Sequence, residues 1–164
     1  MKEQYLLALP IEPMAVGTVF AADEQLPLHC TLMHWVTMSF KNPELVILDE
    51  LRRIVTDGSY ENILLYSAYA AKFGSSNDVP VYVLVRDASL MLLHTKILIQ
   101  LAMCNTNFAS PQWIGASYNP HVTTTRRSFA PGNTYVPTSI VIVRKDNAGI
   151  RTVVGECSLN VAER

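Results

Sequence analysis

Three things are missing from this sequence: a basic excess, paired cysteines and a long apolar run. Each absence narrows what the chain does. Its 164 residues carry 13 Lys and Arg against 14 Asp and Glu, a formal net charge of −1. A protein that follows many backbone phosphates needs a cation for each contact. A long duplex nucleic acid is therefore not the expected partner, and a ligand of one or two nucleotides remains open. The three cysteines, Cys30, Cys104 and Cys157, are far apart and form no Cys-x-x-Cys pair. That spacing fits neither a disulfide framework nor a zinc site, so a reducing cytoplasm is the expected setting. The most apolar later stretch, Leu90 to Cys104, is broken by His94, Lys96 and Gln100 and is too short for a bilayer. The apolar N-terminal stretch is interrupted by Pro10, Glu12 and Pro13. It opens on the balanced pair Lys2-Glu3, not on the basic start of a signal peptide. Repeats and low-complexity segments are missing too.

What is present is a core-forming composition, 49% hydrophobic and 16% charged, which at this length suffices for a single domain over 1–164. Strands are predicted from Tyr5 to Pro10 and from Leu28 to Val36. Residues 14–27 are ambiguous, with Val16 to Phe20 a candidate strand. Asn42-Pro43 is a helix start, with Leu45, Leu48, Leu51 and Val55 as its apolar face and Asp57-Gly58 as its end. Asn62 to Ala71 and Val79 to Arg86 read as a hairpin around the turn at 74–78. A second helix runs from about Ser89 to Cys104, capped by Asp87 or Ser89. Residues 105–117 read as a loop around Pro111 and Trp113. Further strands fall around Tyr118 to Arg126, Thr138 to Arg144 and Thr152 to Leu159. Strands and hairpins with two helices make an α+β order.

The chemistry sits in two short motifs on predicted strands, His29-Cys30-Thr31 and His121-Val122-Thr123. Residues two apart on a strand share a face. Each motif thus offers one imidazole and one hydroxyl to the same space, with Cys30 and Val122 turned toward the core. Two such pairs facing each other suit a phosphodiester. In-line displacement needs a base for the attacking oxygen and an acid for the departing one. Histidine serves as either near neutrality, and threonine hydroxyls can hold the non-bridging oxygens as charge builds. This chemistry asks for no metal or cofactor, and no carboxylate cluster suggests one.

Leu28-His29-Cys30-Thr31-Leu32 and Asn119-Pro120-His121-Val122-Thr123 together resemble the two motifs of the 2H phosphoesterases, which include 2′-5′ RNA ligase-like proteins and cyclic nucleotide phosphodiesterases. Phe73-Gly74, the strand Val81 to Val85 and the Leu-rich helix after it fall in that family's order. Arg126 matches a frequently basic family position. The resemblance implies a bilobal α+β fold. Two antiparallel sheets would be related by a pseudo-two-fold axis around a central cleft, with helices outside. It also implies a metal-independent phosphodiesterase acting on a cyclic nucleotide, a cyclic oligonucleotide or a 2′,3′-cyclic phosphate. One form of that activity is a phage enzyme degrading a defence signal. The alternatives are a 2′-5′ RNA ligase or RNA end-processing enzyme, and a non-catalytic nucleotide-binding protein. The chain departs from the family pattern at residues 14–27, which lack a clear helix, at Thr124, and at His34-Trp35, where a Phe-containing run is usual. These departures bear on the substrate more than on the chemistry.

The expected catalytic set is therefore His29, Thr31, His121 and Thr123. Arg126 and Arg127 are candidates for phosphate. Trp35, Trp113 and Tyr118 are candidates for base stacking. His34 has the opposite strand parity to His29 and is expected to turn away unless the strand bulges first. His94, mid-helix, is expected to be structural. The expected partner is a small nucleotide or an RNA end, bound by a monomer without a membrane.

Overall fold

The computed structural model describes residues 2–60, 62–124 and 128–160. The described residues build ten strands: β1 (Gln4–Pro10), β2 (Val19–Phe20), β3 (His29–Thr37), β4 (Leu65–Phe73), β5 (Val79–Leu84), β6 (Asn107–Phe108), β7 (His121–Thr123), β8 (Thr134–Tyr135), β9 (Ser139–Lys145) and β10 (Arg151–Ser158). Two helices, α1 (Pro43–Asp57) and α2 (Ala88–Met103), complete the α+β fold. The hydrogen-bonded order is β2-β10-β9-β1-β3-β7-β5-β4-β8, with β6 added beside β3. All the pairings are antiparallel.

This order divides into two halves, β10-β9-β1-β3 and β7-β5-β4-β8. Each has four strands with a motif strand innermost. The expected pseudo-two-fold relation is present in that strand order, and the two sheets meet edge to edge as one curled sheet. The seam is narrow. Among the described residues β3 and β7 share one register pair, Cys30 with Val122.

The alternation of side chains explains the layers. Tyr5, Leu7 and Leu9 of β1 and Ile140 and Ile142 of β9 face the helices, where Ile47, Leu51, Leu90, Leu93 and Ile97 close the main core. Leu6, Ala8, Val141 and Val143 point to the opposite, concave face and are also buried. They are covered there by Met14, Phe20 and Leu26 from the segment between β1 and β3. Strands buried on both faces need continuous apolar sequence, which β1 and β9 supply. Backbone bonds tie that covering segment down, from Ile11 N–H to the Leu28 carbonyl at 2.8 Å and from Gly17 N–H to the Val153 carbonyl at 2.8 Å.

Several local expectations shift. In α1 the buried residues are Ile47, Leu51, Ile54 and Val55, whereas Leu45 is 55% exposed. Two apolar stripes of similar spacing coexist in this helix, and packing against β10 and α2 selects the one containing the isoleucines. At α2, Asp87 is the cap: its carboxylate accepts from Leu90 N–H at 2.9 Å. The strand expected from Tyr118 to Arg126 is only three residues long. Tight turns at Pro111–Trp113 and Gly115–Ser117 occupy the approach to it, and Tyr118 lies outside it. Arg126 and Arg127 lie outside the described residues. Among the described residues no helix is long and apolar enough to cross a membrane.

Candidate active site

The Cys30–Val122 pair sets the register of the site. In an antiparallel ladder the neighbours of a paired residue are themselves opposite one another. Thr123 therefore stands across from His29, and His121 across from Thr31. Cys30 and Val122 are fully buried toward the helices, so all four motif side chains share the concave face. His29 and His121 are diagonal neighbours on that face, which places them on the order of 7–8 Å apart at the backbone. That separation leaves room for one tetrahedral group. The cysteine inside the first motif is no nucleophile: burial pushes its thiol up to about 12, although a hydrogen bond with Tyr118 works in the other direction.

Both imidazoles are oriented the same way. His29 Nδ1–H donates to the Pro27 carbonyl at 2.7 Å, and His121 Nδ1–H donates to the Asn119 carbonyl at 2.9 Å. A carbonyl can only accept, so in each ring the proton sits on Nδ1 and Nε2 keeps a lone pair. The repetition of this bond, two residues upstream in both motifs, restates the pseudo-two-fold relation in the chemistry. Burial holds the pKa of both histidines below the ordinary value. For His29 the nearby charges of His121 and Arg151 act in the same direction, and the bond to Pro27 opposes them. Both rings thus favour the neutral form more than a free imidazole does. Phe73 sets its edge against the His121 ring, with centroids 4.8 Å apart at 72°.

These side chains line a cavity of about 710 Å³, a size suited to a small organic ligand. Its floor is His29, Thr31, His121 and Thr123. One wall is Phe73, Asn77 and Val79 of the β4–β5 hairpin, and the other is Leu26, Trp35 and Arg151. The loop residues Ser110, Trp113 and Ser117 close one end. Trp113 is 56% exposed, so its ring is available to a ligand at the rim. Trp35 also lines the cavity, but Lys145 sits over its ring at 4.3 Å. Tyr118 reaches the cavity wall only as part of the frame. Its ring stacks on His94 with centroids 3.8 Å apart, and its hydroxyl donates to the Thr31 carbonyl at 2.9 Å. A base therefore does not find the stacked face of Tyr118 free.

His34 corrects the parity expectation. Leu32 and Met33 are both buried, and the β1–β3 register slips between Leu7–Met33 and Ala8–Thr31. This bulge reverses the alternation, so His34 turns into the cavity. Its pKa is lowered, first by burial and then by Lys145 and His121. A β-bulge has no local sequence signature here, so only the paired strand reveals it. Arg151 was invisible in the sequence for a related reason. It opens the last strand, 122 residues from His29, and only the sheet order brings the two together. Its guanidinium donates to the carbonyls of Ala21, Ala22 and Glu24, while its Nε is buried without a partner. His94 is wholly buried, as its structural expectation required. Among the described residues no three His, Cys, Asp or Glu side chains group to hold a metal ion.

No protein-family model matches the chain, and no curated protein matches it either. Solved structures do share its fold. A phosphoesterase crystal structure superposes with a TM-score of 0.63 at 16% identity, covering 98% of this chain and 99% of that one. Escherichia coli LigT complexed with 3′-AMP gives the same TM-score, identity and coverage. LigT complexed with NADP+ superposes with a TM-score of 0.61 at 16% identity, over 97% of this chain and 98% of that one.

Proposed function

We propose that this chain is a 2H-type phosphoesterase that breaks a small nucleotide phosphodiester by metal-independent acid–base catalysis. The carrying observation is the Cys30–Val122 register. It sets two His-x-Thr pairs head to tail on one cavity floor, with both Nδ1–H groups engaged by backbone carbonyls. Phosphorus would sit between the two Nε2 atoms. One neutral ring takes the proton of the attacking water or ribose hydroxyl as its oxygen bonds to phosphorus. The other, protonated, gives its proton to the departing oxygen as that bond breaks. Thr31 and Thr123 hydroxyls donate to the non-bridging oxygens, where negative charge accumulates. The near-symmetry of the site lets the two histidines exchange roles when the reaction runs in reverse.

The nucleotide part of the reading draws on the aromatic cavity wall and on the ligands held by LigT, 3′-AMP and NADP+. The cavity suits a cyclic nucleotide, a cyclic oligonucleotide such as a phage-targeted defence signal, or a 2′,3′-cyclic RNA end. The RNA-joining alternative uses the same four side chains in the opposite direction.

The test is incubation with cyclic mono-, di- and trinucleotides and with 2′,3′-cyclic ends, with and without 5′-hydroxyl RNA, in the presence of chelator. Turnover of at least one diester is expected. His29→Ala and His121→Ala should each lower it by about 10²–10⁴-fold. Joined RNA products would favour the ligase alternative. Failure to convert any of these compounds would sink the proposal, and binding without turnover would leave a nucleotide-binding protein.

A further inference from the structure

The proposed chemistry straddles a sparsely paired line of the sheet. Among the described residues β3 and β7 share one register pair, although each of these strands carries half of the proposed catalytic set. A single ladder pair does not fix the spacing of two strands firmly, because edges around it twist and shear. A further tie between the two motif segments would steady their separation.

Directly beneath the seam lies a polar pair that the catalytic floor does not use. His94 of α2 has no exposed surface. Its Nδ1–H donates to the Leu32 carbonyl at 2.8 Å, and its Nε2 accepts the Gly115 N–H at 3.0 Å. Gly115 adopts φ +64°, a conformation a glycine takes without strain. The ring of Tyr118 lies flat on His94 at an interplanar angle of 7°. From there the Tyr118 hydroxyl donates to the Thr31 carbonyl, inside the first motif. The Tyr118 carbonyl is in turn held by Arg86 at 2.8 Å. Tyr118 is three residues ahead of His121, and Thr31 faces His121 across the seam. The phenol thus supplies a cross-strand bond beside the single backbone pair. Burying two polar rings is costly unless every polar atom is bonded, and here the bonds run to both motif segments.

We propose that the stacked His94–Tyr118 pair is a positioning clasp that sets the distance between the two His-x-Thr motifs. Neither residue touches the reacting phosphate; both act through the backbone of Thr31, Leu32 and the turn leading to His121. The consequence for turnover rests on the phosphodiesterase reading above, but the clasp itself has a readout that does not.

Tyr118→Phe deletes the hydroxyl and keeps the stacked ring, so the fold should survive, which thermal unfolding checks. Imidazole NMR on the full chain then follows the titration of His29 and His121 in wild type and variant. Each ring's charge acts on the other, so a changed separation moves both curves. The expected result is altered titration of both rings, with kcat down roughly ten- to hundred-fold and KM within about two-fold, since binding groups remain. His94→Leu, which removes both of that ring's bonds, should move the same titrations in the same sense. Unchanged titration curves in a folded Tyr118→Phe overturn the clasp, whether or not the rate falls. Wild type that turns over no diester, combined with shifted titrations in the variant, leaves the clasp standing and overturns the phosphodiesterase reading instead.

Discussion

Adding sulfate should raise the pH at which the cleft histidines take up a proton. Burial disfavours the charged form of both rings. The proposed acid–base cycle nonetheless needs one imidazolium, and a phosphate-bearing ligand would supply compensating charge. Sulfate mimics the phosphate but does not titrate near neutrality, so any proton taken up belongs to the protein. Each of the two negative charges of sulfate, about 4 Å from Nε2, attracts an imidazolium by about 4 kcal/mol at an effective dielectric near 20. Protonating the second ring as well places two positive charges about 7–8 Å apart, a repulsion of about 2 kcal/mol in the same medium. The attraction exceeds the repulsion, so the anion favours both protons, the first by about 2 kcal/mol more than the second. As pH falls, one ring should therefore charge before the other, which is the state that acid–base division requires.

The assay is histidine NMR titration in saturating sulfate against chloride at matched ionic strength, which removes general screening. The half-protonation pH of His29 or His121 should climb by more than about one unit, since each unit is about 1.4 kcal/mol. His94 is the internal control, because backbone groups engage both its nitrogens. No rise over chloride, or an equal rise at His94, would refute an anion site between the two rings.

Three further outcomes follow from the same geometry. His34→Phe should change KM between nucleotides of different base while leaving kcat within about three-fold, because His34 lines the cavity beside the floor; equal KM values across a panel would remove it from recognition. Arg151→Met should release the segment around Ala21 to Glu24 from its guanidinium, seen as faster limited proteolysis between residues 15 and 28; an unchanged cleavage pattern would mean the backbone bonds suffice. Acid should destabilise the fold through His94: its folded pKa is depressed, chiefly by burial, so below about 6.5 the unfolded chain binds more protons than the native one. Stability from this ring is then full above pH 6.5 and lost as pH falls, by at most about 2 kcal/mol at pH 5. Urea unfolding at pH 7 and pH 5 measures it, and a loss of the same size in His94→Leu would assign the effect elsewhere.

The parts of this molecule visible in the sequence are those encoded by short-range pattern. His-x-Thr on a strand needs only period-two alternation to bring its two side chains to one face, and Cys30 and Val122 do lie fully buried beneath. Asp87 announces α2 because a cap is a local bond. What escaped depends on partners distant in the chain. The inward turn of His34 follows from a slip against β1, and the position of Arg151 follows from β10 lying two strands from β1. Tyr118 shows the same limit differently. Its proximity to the second motif suggested a ligand platform, but α2 places His94 against its ring and β3 places a carbonyl at its hydroxyl. The local code thus specifies which groups can react, and the long-range pairing specifies how far apart they stand. At a seam with one backbone pair among the described residues, the proposed clasp gives that second quantity to two buried side chains, and there a change away from the reacting groups should be felt in the chemistry.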